Sequence, residues 1–385
     1  MLPFVLALLV ATPLPTPGPS KVLPSSLVEA PAAAVPLRVP PGFRVALFAE
    51  GLMKPREMAQ LPDGDVLVVE TSAGRVRRLG DRDGDGRAEA ERVWVDGLSR
   101  PYGILLRDGW VYVANDDSIV RFRLGADGDA AGREVVVANI ELDGKKLYPR
   151  GHWTRDVLFS RDGARMYVAV GSLSNNDADE PRGRATVLVY EGGTPRVFAS
   201  GLRNPVSLAL RPGSDEVWTT VNERDRLGND LVPDFVTSLR DGGFYGWPFW
   251  YIGAHADPRY AAAMPAGAPP AHTVLVPDVL LPAHSAALGL TFYAADRFPA
   301  RYHGGLFVGL HGSWNRDPLT GYAVAFIPFR DGRPAGPPEP FLDGFIKDAD
   351  TGAVYGRPVA PFVAADGALL ISDDGAGRLW RVVPK

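Results

Sequence analysis

The fold class predicted is all-β, a six-bladed β-propeller of four-stranded antiparallel blades around a central channel, and three observations predict it. One phrase recurs six times over residues 41–385. Each recurrence holds a short β-branched or aromatic run bounded by Asp-Gly, Gly-Gly or comparable turns. No segment sustains an apolar 3.6-residue period of helical length.

The phrase is a Gly-Leu plus Pro turn, a hydrophobic stretch, a tight turn and a β-rich run. Copy one reads AEGLMKPREMAQLPDGDVLVVETSAGRVRRL and copy two VDGLSRPYGILLRDGWVYVANDDSIVRFRL, matching almost element by element. The third, GHWTRDVLFSRDGARMYVAVGS with ATVLVYEG, is less regular, and the fourth begins ASGLRNPVSLALRPGSDEVWTTVNE. LGLTFYAADRFPARYHGGLFVGLHGS with GYAVAFIPF, then GRPVAPFVAADGALLISDDGAGRLWRVV, complete the series. The spacing is about 57 residues per copy, near the upper end of propeller repeats. The runs VLVVE, VYVAN, MYVAV, EVWTT, LFVGL and LLISD are predicted strands. One four-stranded sheet cannot cover both its faces, whereas six set radially bury them against one another.

Residues 1–40 are expected outside this domain. MLPFVLALLVATPLPTPGPS has an apolar run of about nine residues, short of the roughly 20 needed to span a bilayer, and resembles a signal-peptide core without its charged start. A Pro/Ala-rich stretch follows and reads as a linker. The expectation is a periplasmic or secreted protein with no membrane span. With 46% hydrophobic and 22% charged residues the chain is globular. A net charge of −4 offers no field for nucleic acid, so a small polar substrate fits better. The absence of cysteine excludes disulfides, thiolate metal sites and cysteine nucleophiles.

Ligands of propellers sit where turns crowd the axis. HGSWNRD, from His311 to Asp317, gathers donors and an indole at a strand end. GLRNP at 201–205 and GRP at 356–358 place Arg203 and Arg357 beside proline-restrained backbone; such arginines either bridge blades or pair with an anionic ligand. The loop 222–235 holds Glu223, Asp225, Asp230 and Asp234, oxygen donors suited to calcium or a solvated acidic face. DGGFYGWPFWYIG, 241–253, is aromatic enough to pack as core or to wall a flat ligand. Asp81, Asp83 and Asp85 imitate the start of an EF-hand loop, but Arg92 stands where that loop needs glutamate. His152 and His311 lie at turns next to strands, and His284 precedes an inner run. No HExxH, GxSxG, Walker or dinucleotide fingerprint is present.

GLRNPVSLAL, TVNERDRLGNDLVPDFVTSLRDGGFYGWPFW, SAALGLTFY, FVGLHGSWNRDPLTGY and GRPVAPFVAADGALLISDD, taken in order, resemble the glucose/sorbosone dehydrogenase family, and most its L-sorbosone dehydrogenase-like branch. The resemblance implies six-bladed propellers that oxidise a sugar, sugar alcohol or sugar aldehyde with pyrroloquinoline quinone and calcium. It implies that His152 takes the substrate hydroxyl proton. Arg203 and Asn204 would contact the quinone and Arg357 its carboxylates, with His311, Trp314, Asn315 and Arg316 reaching the pocket. Glu223, Asp225 and Asp230 would supply calcium ligands. Glucose-oxidising members follow the histidine with two glycines and carry an aspartate after the next strand; here Trp153, Thr154 and Ser172 stand there. They also carry an Arg-x-Arg pair where Tyr355 and Arg357 stand. The alternatives are a calcium-dependent lactonase-type propeller and a non-catalytic carbohydrate- or protein-binding one.

Overall fold

Alternation of buried side chains builds the architecture. In Val66–Glu70 every residue is buried, with Val66 and Val68 packing on one side and Leu67 and Val69 on the other. A strand covered on both faces reads as a continuous apolar run, and each fully buried Val or Leu contributes about 1.5–3 kcal/mol.

The computed structural model describes residues 13–140, 142 and 151–385; the apolar run of the signal-like segment, and Arg150, lie outside them. Among the described residues helix is confined to four single 3-10 turns, and no helix is long and apolar enough to cross a membrane.

Six antiparallel sheets follow one another. The first comprises Pro55–Gln60, Val66–Glu70, Arg75–Gly80 and Ala90–Val95, and the second Ile104–Arg107, Trp110–Ala114, Ile119–Leu124 and Ala130–Val137. The third runs Val157–Phe159, Arg165–Val170, Thr186–Glu191 and Thr194–Ser200, with Gly243–Phe244 added in parallel. The fourth is Asn204–Leu210, Val217–Asn222, Pro233–Ser238 and Val279–Ala283, and the fifth Ala287–Phe292, Leu306–Leu310, Ala323–Ile327 and Glu339–Leu342. The sixth takes Pro358–Val363, Leu369–Asp373 and Arg378–Pro384 from the end of the chain, and its outermost strand, Phe43–Ala49, from near the start. All six predicted runs fall on second strands.

The first strands touch in a closed cycle, each against the next and Pro358–Val363 against Pro55–Gln60. One apolar cluster fills each interface between neighbouring sheets. Trp94 and Phe122 lie between the first and second, Trp218 and Phe292 between the fourth and fifth, and Phe48 and Leu370 between the sixth and first. First strands begin, and second strands end, at the same end of the ring, where the candidate site lies.

Residues 13–41 do not behave as the expected linker. Gly18 N donates to Leu227 O and Leu23 N to Trp314 O, Ser26–Leu27 pairs with Ala353–Val354, and Arg38 exchanges backbone hydrogen bonds with Asp343. This segment crosses the site end of the fourth, fifth and sixth sheets.

Candidate active site

Gly171 directly follows the second strand of the third sheet, and its lack of a side chain sets the site. A Cβ there would lie 2.5 Å from His152 Cβ and would collide with Asn204 Oδ1. His152 and Asn204 therefore flank one spot. The His152 N–H and ring Nδ1 both meet the Ser172 carbonyl at 3.0 Å, and Nδ1 also lies 3.0 Å from Ser172 Oγ. A proton on Nδ1 bonded to that carbonyl leaves Nε2 as the acceptor. Desolvation first, then the Arg203 guanidinium, hold the His152 pKa down at about 3, so the imidazole is neutral. Ser172 thus orients the ring without adding a charge.

Arg203 is buried and fully engaged. Nε donates to Asn175 O at 3.1 Å, Nη1 to Asn222 O at 3.4 Å and Glu223 O at 2.6 Å, and Nη2 to Asn175 Oδ1 at 3.0 Å and Asp225 Oδ2 at 2.8 Å. All five guanidinium N–H groups are used. Arg203 therefore pins the acidic loop instead of clamping a ligand. Asn204 Oδ1, in contrast, is buried without a partner.

The predicted calcium trio does not converge. Asp225 binds Arg203, accepts from Asn315 Nδ2 at 2.8 Å and lies 3.7 Å from His284 Nδ1. Against the cost of burial, His284 and Arg203 pull its carboxyl down to about 2. Glu223 is buried and accepts from the Arg224 N–H at 3.0 Å; desolvation raises it to about 7. Asp230 faces solvent and pairs with Arg316 at 2.7 Å. Asp230 is thus engaged by Arg316 and not joined to Glu223 and Asp225, while Arg316 keeps a buried Nε without a partner. Among the described residues no metal-ligand cluster forms in this loop. Asp81 and Asp83 do meet, but with Glu89 in place of Asp85, in the hairpin joining third and fourth strands at the opposite end of the ring.

Several site residues escaped sequence reasoning. His311 Nε2 lies 2.6 Å from Asp374 Oδ1, and Asp374 Oδ2 lies 2.6 Å from Arg56 Nη2. Arg56 already neutralises Asp374, so burial prevails and His311 falls to about 4. Arg357 donates through Nε to His311 O at 3.2 Å and through Nη2 to Gly312 O at 2.9 Å. Trp153 lies against two cations, with Arg100 4.5 Å and Arg56 5.4 Å from its ring centre. Arg56 and Asp374 each adjoin a motif already singled out, but nothing in the letters paired them. Trp314 is 44% exposed, while Asn315 is buried with Oδ1 unpartnered. Of the 241–253 aromatics, Tyr245 and Tyr251 pack against the third and fourth sheets, Phe244, Phe249 and Trp250 are half-buried, and Trp247 Nε1 donates to Asn175 O at 2.9 Å.

A ring of sheets with a neutral histidine, an unsatisfied amide and arginines gathered at the end where first strands begin defines a propeller-like protein with a polar site at the mouth of its axis. The chain belongs to the TrAA12-like family, whose model matches residues 37–233 and 268–384. An uncharacterized protein of Borreliella burgdorferi is 27% identical over 90% of both chains. A pyrroloquinoline quinone-dependent pyranose dehydrogenase of Coprinopsis cinerea is 26% identical over 79% of this chain, which spans only 47% of that enzyme. Among solved structures, the holo form of the pyranose dehydrogenase PQQ domain from Coprinopsis cinerea superposes with a TM-score of 0.76 at 23% identity, covering 93% of this chain and 100% of that one. The calcium structure of Trichoderma reesei Carbohydrate-Active Enzymes Family AA12 gives 0.75 at 19%, covering 95% and 98%. The PQQ-bound aldose sugar dehydrogenase from Streptomyces coelicolor gives 0.61 at 18%, covering 90% and 100%. At these identities the structural likenesses bear on the fold. None of them singles out a sorbosone branch.

Proposed function

We propose that this six-sheet ring is a six-bladed propeller and an exported quinoprotein dehydrogenase that oxidises a sugar, sugar alcohol or hydrated sugar aldehyde, with His152 as the general base. The observation that carries this reading is the juxtaposition of neutral His152 and unsatisfied Asn204 across Gly171. Family membership and the names of the relatives support the oxidoreductase class.

The site fits a flat polyanionic cofactor by its own chemistry. Arg357 has a terminal nitrogen, Nη1, without a partner among the described residues. Asn204 and Asn315 keep buried amide oxygens unpartnered, and Trp153 offers an indole face flanked by guanidinium groups. These residues would hold pyrroloquinoline quinone, which when bound supplies the hydride acceptor. His152 Nε2 accepts the proton of the substrate hydroxyl as the C–H bond breaks. Ser172 keeps the ring oriented, and an anion bound beside it raises the basicity that desolvation and Arg203 suppress. Trp153, standing where glucose-oxidising members have glycine, narrows the approach to His152 and makes its bulk the discriminator among sugars. Calcium, if it serves the cofactor, is not held by the trio Glu223, Asp225 and Asp230.

The test is reconstitution of purified protein with calcium and pyrroloquinoline quinone, followed by dye reduction across aldoses, sugar alcohols and sugar aldehydes. Cofactor absorbance with turnover of at least one class supports the reading; neither overturns it.

A further inference from the structure

Ser172 faces the ring of His152 with a hydroxyl that is chemically ambiguous, since a serine Oγ can donate its one proton or accept another. At 3.0 Å from His152 Nδ1, it either accepts from an Nδ1–H, leaving Nε2 as the base, or donates to a bare Nδ1, leaving the proton on Nε2 and the imidazole unable to act there. The Ser172 carbonyl favours the first form, but it is shared. Arg184 Nη1 reaches Ser172 O at 3.4 Å, and also Gly171 O at 3.3 Å and His152 O at 3.4 Å. The hydroxyl is settled further along the chain. Ser172 Oγ donates to Ser174 O at 2.6 Å, so its proton is spent and only acceptor capacity faces the ring.

Ser174 O stays in place only while the turn after Ser172 is held, and a carboxylate holds it. Glu180, half-buried in the same loop, accepts from Leu173 N through Oε2 and from Ser174 N through Oε1, each at 2.7 Å. Ser174 Oγ accepts from Asp177 N at 2.9 Å, which closes the turn on its own loop. Two successive backbone N–H groups thus end on the two oxygens of one carboxylate. A glutamine could not reproduce that pair, because its amide offers a single acceptor oxygen. The connection is continuous: Glu180 fixes the turn, Ser174 O takes the Ser172 proton, and Ser172 Oγ is left to accept from His152 Nδ1. Hydrogen bonds that reach a reacting group through a neighbour in this way set its orientation and tautomer.

We propose that Glu180 is a positioning residue for the general base: by holding the Leu173–Ser174 turn it commits the Ser172 hydroxyl to Ser174 O and fixes His152 in the tautomer whose Nε2 is free. This role rests on the dehydrogenase reading for its catalytic meaning, whereas the tautomer is set without quinone or sugar. A suppressor is expected. In Glu180→Gln the turn loosens and the hydroxyl can swing its proton onto Nδ1. Removing that hydroxyl as well, in Glu180→Gln/Ser172→Ala, leaves Nδ1 facing the carbonyl, a pure acceptor, and restores the productive tautomer.

The experiment reads the His152 tautomer in the full chain at neutral pH from its heteronuclear imidazole resonances, assigned by their loss in His152→Ala. Wild type is expected to show the Nδ1–H form, Glu180→Gln a mixture in which the Nε2–H form rises, and the double variant a return to Nδ1–H. In quinone-loaded Glu180→Gln, kcat should fall about three- to tenfold with KM unchanged, since only the Nδ1–H fraction can accept the substrate proton. An unchanged tautomer in Glu180→Gln, or a changed one that Ser172→Ala does not reverse, overturns the proposal; general loosening of the loop would not be cured by deleting a further hydrogen bond. Should Glu180→Gln fail to fold, Glu180→Asp, which keeps the charge but shortens its reach, is read in the same way and with the same outcomes. A tautomer shift with suppression in a protein that reduces no dye would sink the dehydrogenase reading and still leave Glu180 as the residue that sets the tautomer.

Discussion

His152 is held by one neighbour, Ser172, through a carbonyl and a hydroxyl at the same 3.0 Å. Removing the imidazole in His152→Ala should lower kcat by about 10²–10⁴-fold while quinone binding, followed by absorbance, persists; normal turnover by a quinone-loaded variant would remove the base assignment. Ser172→Ala retains the carbonyl and should lower kcat less, with the acid limb of the pH–rate profile displaced. Glu223 makes a second prediction. Burial raises it from 4.5 to about 7, so between those values the folded chain holds a proton that the unfolded chain releases. Stability from this group is complete below 4.5 and declines as pH rises through 7. Glu223→Gln abolishes that decline, so its denaturant midpoint relative to wild type should climb across the interval and then level off. Among site residues, His152, Asn204, His311 and Arg357 were legible because each sits in a motif at a strand end. Arg56 and Asp374 were not, since what brings them to the site is contact between sheets far apart in sequence. Arg203 and Asp230 were legible as residue types but not as partners: guanidinium and carboxylate draw each other in before either meets a ligand.

The strand is the element that the sequence displays best. VLVVE reads as a strand because alternate residues enter different interfaces, Val68 toward the sixth sheet and Val69 toward the second. GFRVALFA was harder to assign, standing before the first copy of the phrase, and its partner Arg378–Pro384 is the end of the last copy. Phe43 anchors that strand edge-on against Phe298, Phe341 and Tyr302, with ring centres 4.7, 5.3 and 5.4 Å away. Phe43→Ala should cost about 3–5 kcal/mol, read as a lower denaturant midpoint. The equivalent truncation at Val93, which is 45% exposed, should cost about 0.5 kcal/mol or less. The aromatic segment 241–253 left two readings open for a physical reason: an indole or phenol serves a core and a ligand wall equally well, and only burial separates them.

On the scale of the whole molecule, composition indicated a Pro/Ala-rich linker where the structure has a docked segment. Proline-rich chain does not need a core of its own when its backbone donors and acceptors find partners on a surface already folded. Ser20 Oγ accepts from Gly228 N, Lys21 N donates to Asn229 Oδ1 and Leu23 N to Trp314 O, so the segment restrains the loop carrying Asp225 and the strand end carrying Asn315. Deleting residues 1–31 should leave far-UV circular dichroism of the ring intact and quicken hydrogen exchange across 225–231; unchanged exchange there would show that the loop is held from below, by Arg203 and Asn175 alone.

The pairing of Phe43 with Pro384 also sets a temporal order. Ring closure awaits the synthesis of Arg378–Pro384, and joining strands so distant in sequence costs about 5 kcal/mol of chain entropy. Until then the outer edge of Arg378–Pro384 lacks its partner and the Phe48 side of the apolar interface is uncovered. A ribosome-bound or half-translocated chain is therefore an open arc with a sticky edge. The ring closes only once Phe43–Ala49 and Arg378–Pro384 are in the same compartment.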